Sequence, residues 1–137
     1  MRTIVLNTNC LLAILPSKSP FHNVWVDLLS GKICLCISNE IISEYEEILK
    51  RKIPEDVAVN AIQTILNLPE LHQVNPSYFF HLIESDPDDN KFVDCAICGG
   101  AELIVTNDSH FDVLRDIDFP KVSVKSLAEF SEALLLP

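Results

Sequence analysis

The sequence predicts an α/β protein whose parallel sheet is covered by helices on both faces, and three observations predict it. Short runs at Thr3 to Leu6, Ile33 to Ile37 and Ile104 to Thr106 are apolar or β-branched at successive positions, as strands buried from both sides are, and Lys121 to Val124, with two valines, reads similarly. Between them lie longer stretches with apolar residues at three- and four-residue spacing. The two kinds of segment alternate, and strands separated by helices pair in parallel. With 137 residues and 48% apolar content, the chain has the size and composition of one domain, residues 1–137.

Taken in order, the first strand breaks at Leu6 into Asn7-Thr8-Asn9-Cys10, and the spacing then predicts helices over Pro20 to Leu29, Asn39 to Lys52 and Pro54 to Leu68. Pro54 suits a first helical turn, so two helices rather than one follow the second strand. A third strand falls either near His72 to Asn75 or near Tyr78 to Ile83. Helices are predicted again over Asp89 to Cys98, His110 to Ile117 and Ser126 to Leu135. The last opens on a capping box, Ser126 with Glu129 three residues on.

Composition narrows the functional classes. No run reaches about 18 apolar residues, so a membrane role is not expected and a cytoplasmic location is. Five cysteines, mostly within apolar stretches, read as reduced, packed thiols. The pairs Cys34-x-Cys36 and Cys95-x-x-Cys98 are the material for a zinc site, but the first has the wrong spacing and sits in a strand. A formal charge of -10 opposes nucleic-acid binding at long range unless cations intervene. The one basic run, Lys50-Arg51-Lys52, reads as a solvated helix end. Three glycines leave no phosphate-cradling loop.

In a parallel sheet, ligands bind beyond the carboxyl ends of the strands, near the point where strand order reverses. Asn7 and Asp108 stand at two such ends. Asp89 precedes Phe92, Val93, Ala96 and Ile97 by three, four, seven and eight residues, so it lies in line with the buried stripe of its helix. Asp86 and Asp88 are accounted for as capping and first-turn acids, and Asp108 is also a candidate N-cap. Asp94 lies about 140° around the helix from Asp89 and takes second place. In the helix from Asn39, Glu44 and Glu46 flank the apolar stripe on opposite margins and are nearly equal candidates. Acids from separate segments aimed at one sheet end suit Mg²⁺ or Mn²⁺, with phosphodiester hydrolysis as the chemistry such ions support. His22, His72, His81 and His110 lack mutual metal-ligand spacing and read as surface or packing residues; Trp25 reads as core.

The pieces "IVLNTNCLL", "ISNEIISEYEEILKR", "DPDDNKFVDCAICGGAELIVTND" and "HFDVL" resemble the PIN-domain family, specifically the toxin components of bacterial toxin-antitoxin pairs. The resemblance implies a three-layer α/β/α sandwich with a parallel sheet of about five strands. It implies a Mg²⁺- or Mn²⁺-dependent ribonuclease, an RNA substrate, an inhibiting antitoxin and a homodimer. It also favours Glu44 over Glu46, and joins it with Asp89 and Asp108 as metal ligands. Thr8, Asn9 and Thr106 match the family's supporting polar residues. Asn7 departs from the pattern, which has Asp there. Asn keeps one acceptor oxygen but loses the charge, so weakened metal binding and cleavage are expected. The competing expectation is a catalytically impaired domain that binds RNA or an antitoxin. A different metal-dependent phosphoryl-transfer enzyme ranks below both, since the first strand ends without a nucleophilic Asp.

Overall fold

The computed structural model describes residues 2–136. It is a three-layer α/β/α sandwich around a five-stranded, all-parallel sheet. In chain order the elements are β1 (Arg2–Leu6), α1 (Thr8–Ile14), α2 (His22–Leu29), β2 (Ile33–Ile37), α3 (Asn39–Lys52), α4 (Glu55–Leu66) and β3 (Leu71–Gln73). There follow a 3-10 turn (Pro87–Asp89), α5 (Asn90–Gly99), β4 (Leu103–Val105), a 3-10 helix (Ser109–Asp116), β5 (Ser123–Lys125) and α6 (Leu127–Leu134). The strand order is β3-β2-β1-β4-β5, so the chain steps outward from β1 to β3 and then returns to the other side of β1. The reversal of direction falls between β1 and β4, where Leu6 is in register with Val105.

The central strands are as buried as their composition predicts. Ile4, Val5 and Leu6 of β1, Leu35, Cys36 and Ile37 of β2, and Ile104 and Val105 of β4 are fully enclosed. Helix α5 packs on β1, β2 and β4 with α3 beside it, whereas α2 packs on β2 and reaches α6. The buried Tyr45 hydroxyl of α3 donates to Leu6 O at 2.5 Å, which fixes the helix to the end of β1. Trp25 is core, as expected. The C-terminal end of α5 lies so close to the sheet that a Cβ on Gly99 would collide with Cys36 Sγ and stand 3.0 Å from Val74 Cγ1. Gly100 then ends the helix with φ +67, a left-handed conformation that favours glycine.

Several expectations are corrected. Helix α1 starts directly after Asn7, where no helix was predicted; it has seven residues, too few for periodicity to show, although Cys10, Leu11 and Ile14 are buried. The third strand is Leu71–Gln73, near the first of the two places expected for it, and Tyr78 to Ile83 is irregular. The segment predicted as a helix from His110 is a 3-10 helix from Ser109, and Asp89 closes a separate 3-10 turn before α5 begins. Ser126 and Glu129 form the capping box as predicted.

All five cysteines are free thiols, with Cys36 Sγ 3.7 Å from Cys95 Sγ in the core. Among the described residues they contribute to no cluster with metal-ligand geometry. Lys50 and Arg51 pair with Glu46 and Glu47 one turn back, consistent with a solvated helix end. No helix among the described residues is long and apolar enough to cross a membrane.

Candidate metal centre

Asn7 lies in the crevice where strand order reverses, 7% exposed. Its N–H donates to Val105 O at 3.0 Å, tying the end of β1 to β4. Its side-chain Oδ1 accepts from Asn9 N at 3.1 Å and so caps α1. Asp caps a helix as well as Asn does, so the cap does not account for the amide. Asn9 enters this arrangement through its backbone.

Across the crevice, Thr106 is buried and its hydroxyl accepts from Asp108 N at 3.0 Å, which sets the turn after β4. Asp108 then accepts from His110 N at 2.9 Å and caps the 3-10 helix. The same carboxylate lies 3.2 Å from His110 Nδ1. Asp89 approaches from the start of α5, with Oδ2 3.4 Å from His110 Nδ1, and Asp86 Oδ2 lies 3.8 Å from that nitrogen. Asp86, Asp89 and His110 each offer a ligand atom, all within 4.8 Å of one another.

Asp89 Oδ2 is buried and accepts no hydrogen bond; the approach of His110 is a charge contact without hydrogen-bond geometry. Burial, reinforced by the charges of Asp86 and Asp108, pushes the Asp89 carboxyl up to about 6 against the opposing pull of His110. A buried carboxylate oxygen without a donor is costly, and a cation relieves that cost. The donor set, mostly hard oxygen, fits a divalent ion such as Mg²⁺ or Mn²⁺.

Glu44 extends from α3 toward the starts of α1 and α5. It accepts from the Thr8 hydroxyl and forms a 2.8 Å ion pair with Lys91, which also reaches Asp88 at 3.2 Å. Burial alone would lower the Lys91 pKa, but hydrogen bonds to Glu44 and Asp88 win and raise it, so the ammonium stays charged. Glu44 is therefore already partnered by a cation. Glu46 pairs with Lys50 on the exposed side.

The expected residues are thus only partly assembled. Asp89 and Asp108 come together, with Asp86 and His110 as members that sequence reasoning assigned to capping and to the surface. Each of those readings is half right, since Asp86 does cap its turn and His110 is substantially exposed. His110 has no ligand spacing to the other histidines; the spacing that places it here is to Asp108, two residues earlier. Lys91 was missed as well. Asp94 stands apart, buried against the preceding loop, where it accepts from Phe80 N at 3.0 Å.

A parallel sheet with acids gathered at the switch point between β1 and β4 defines the class: an α/β protein with an acidic crevice at the carboxyl end of its sheet. The PIN domain profile matches residues 3–110, and the chain belongs to the PIN domain family. No curated protein matches the sequence. Among solved structures, VapBC2 from Rickettsia felis, bound to a DNA fragment from its promoter, is similar with TM-score 0.63 at 14% identity, covering 90% of this chain and 98% of that one. VapBC-1 from nontypeable Haemophilus influenzae matches with TM-score 0.63 at 13% identity, covering 92% and 98%. Mycobacterium tuberculosis VapC20, described as a Sarcin-Ricin loop cleaving toxin, matches with TM-score 0.53 at 17% identity, covering 80% and 92%. At these identities the likeness is one of fold.

Proposed function

We propose that this PIN domain is a divalent-metal-dependent endoribonuclease, the toxin component of a toxin-antitoxin pair, with activity lowered by Asn7. The observation that carries the reading is the buried, donorless Asp89 Oδ2 facing Asp86, Asp108 and His110. Support for the biological setting comes from the VapBC structures and from VapC20, whose name makes it an RNA-cleaving toxin. An antitoxin partner, a homodimer and a cytoplasmic location belong to the same reading.

Asp89 and Asp108, with Asp86 and His110 beside them, would hold the ion, and Glu44 and Asn7 would border it from α3 and β1. When bound, the ion supplies charge neutralisation at a scissile phosphate and acidifies water. The chain's own residues do the rest. Thr106 and the Asp108 cap orient one carboxylate, and Thr8 with Lys91 orients Glu44. Lys91, charged at neutral pH, offers the acidic cleft a cation for an approaching phosphate.

The test is cleavage of a structured RNA with Mn²⁺ or Mg²⁺ by the protein and by Asp89→Ala, Glu44→Ala and Asn7→Asp. The expected order is Asn7→Asp above wild type, with both alanine variants inactive. Equal activity in wild type and both alanine variants would point to a contaminant and sink the proposal. A second reading, a catalytically impaired domain retained for binding RNA or an antitoxin, is favoured by the neutral Asn7 together with the Lys91 pairing of Glu44. It predicts RNA retention without cleavage by the wild type, with metal affinity or cleavage raised by Asn7→Asp; no rise would overturn the claim that position 7 limits the chemistry.

A further inference from the structure

Beside the candidate metal centre, on the β2 and β3 side of the sheet, the start of α3, the loop after β3 and α5 enclose a cavity of about 410 Å³. That volume lies within the range of ordinary ligand pockets, roughly 300 to 1,000 Å³. Its lining includes Asn39, Glu40, Phe79, His81, Lys91 and Asp94. It shares Asn39, Glu40, Asp88 and Lys91 with an adjoining groove of about 510 Å³ that follows α3 past Glu44 to Arg51. A strand lying in the groove would meet Arg51 and Lys91, paired there with Glu47 and with Glu44 and Asp88, and would present its next group to the cavity.

Three features of the cavity point to a ligand. Asp94 is 4% exposed yet lines it, and Phe80 N is its one hydrogen-bond donor among the described residues, which leaves acceptor capacity on the carboxylate. His81 holds φ +52, a left-handed backbone that non-glycine residues adopt rarely and that gathers at ligand clamps. Phe79 is more than half exposed on the wall, in reach of a planar group. The remaining polar groups are largely committed. Asn90 exchanges both its amide hydrogen bonds with Ile83, and Asn75 Oδ1 accepts from Asn39 N. Besides the His81 ring and Lys91, which is paired with Glu44 and Asp88, the cavity offers acceptors and an aromatic face.

We propose that this cavity is a guanine subsite for an unpaired base of the RNA strand whose phosphate lies at the metal centre, an assignment that rests on the ribonuclease reading above. A carboxylate presents two parallel acceptors. Of the four bases, guanine alone carries two adjacent donors, N1–H and N2–H₂, on its Watson–Crick edge. Adenine and cytosine set their amino group beside an unprotonated ring nitrogen, which repels a carboxylate, and uracil flanks its single N–H with carbonyls. Unpaired RNA bases are commonly read on that edge while stacked on an aromatic ring, the part that falls to Phe79.

The experiment follows backbone amide shifts of the full chain by NMR, in EDTA, during titration with 5′-GMP, 5′-IMP and 5′-UMP, with arginine amide as a fourth probe. Inosine lacks the N2 amino group, so the ligand itself tests the assignment. Shifts are expected at Phe80, His81 and Asp94, with GMP binding at least about fivefold tighter than IMP or UMP, the low end for a bidentate pair. Asp94→Asn should level that preference, and Phe79→Ala, at an exposed position, should weaken GMP several-fold without unfolding the protein. Equal binding of the nucleotides, shifts confined elsewhere, no binding into the millimolar range, or tighter binding of arginine amide would each overturn it. Without metal, the result is independent of cleavage: a guanine preference in a protein that cleaves nothing counts against the nuclease reading only.

Discussion

At position 7 a single atom separates the observed residue from a metal-binding carboxylate. Asn7→Asp retains the cap on α1 and adds one negative charge in a nearly closed crevice. We expect it to tighten Mn²⁺ binding at least about tenfold, read by calorimetric titration, since hard cations favour carboxylate. Asp89 gives a second test. Its carboxyl titrates at about 6 in the folded protein against 3.8 for the free side chain, so the folded state binds the extra proton between those values. Ionised Asp89 therefore weighs against the fold: the penalty is absent below the unfolded value and grows to its full size as pH rises through the folded one. Metal binding needs the ionised form, so Mn²⁺ should raise the melting temperature more at about pH 7.5 than at about pH 5. Asp89→Asn should melt higher than wild type in EDTA at neutral pH and lose the response to Mn²⁺.

Among the elements, α5 is held closest to the sheet and depends on a missing side chain. Gly99→Ala forces Cys36 or the helix to shift, at an expected cost of about 1–3 kcal/mol, measured by urea unfolding. Its neighbour α3 is fixed by the Tyr45 hydroxyl on Leu6 O; Tyr45→Phe leaves that carbonyl without this donor and should cost about 1–2 kcal/mol in the same assay. Elements differed in how well they could be read from sequence. Helix α3 was legible because fourteen residues carry a full apolar stripe, and β1, β2 and β4 because both their faces are buried. Helix α1 was hidden by its length, and β3 is one of two alternatives in the sequence because two of its three residues are exposed at the sheet edge. Asp89 was legible because it continues a stripe. The Lys91 to Glu44 pair was not, because its partners are 47 residues apart and meet only once α3 and α5 pack together.

For the whole molecule, one buried cluster runs through both sides of the sheet. We expect residues 1–137 to behave as one domain and unfold in a single calorimetric transition, with van't Hoff and calorimetric enthalpies in agreement. Two separate transitions would contradict this. The excess of acids, formal charge -10, gathers partly at the sheet end that the site occupies. Multivalent cations are therefore expected to favour RNA association over monovalent salt at equal ionic strength, read by filter binding.

The cap that Asn7 places on α1 has a consequence for how such a protein changes over generations. Asparagine and aspartate serve that cap equally, so the start of α1 does not depend on which one is present, whereas the charge of aspartate would enter a nearly closed crevice. On the proposed function, a lineage could dim or restore metal chemistry at this position while keeping the helix start, with a bound cation offsetting the buried charge of aspartate. Position 7 is a dial set into a rigid frame.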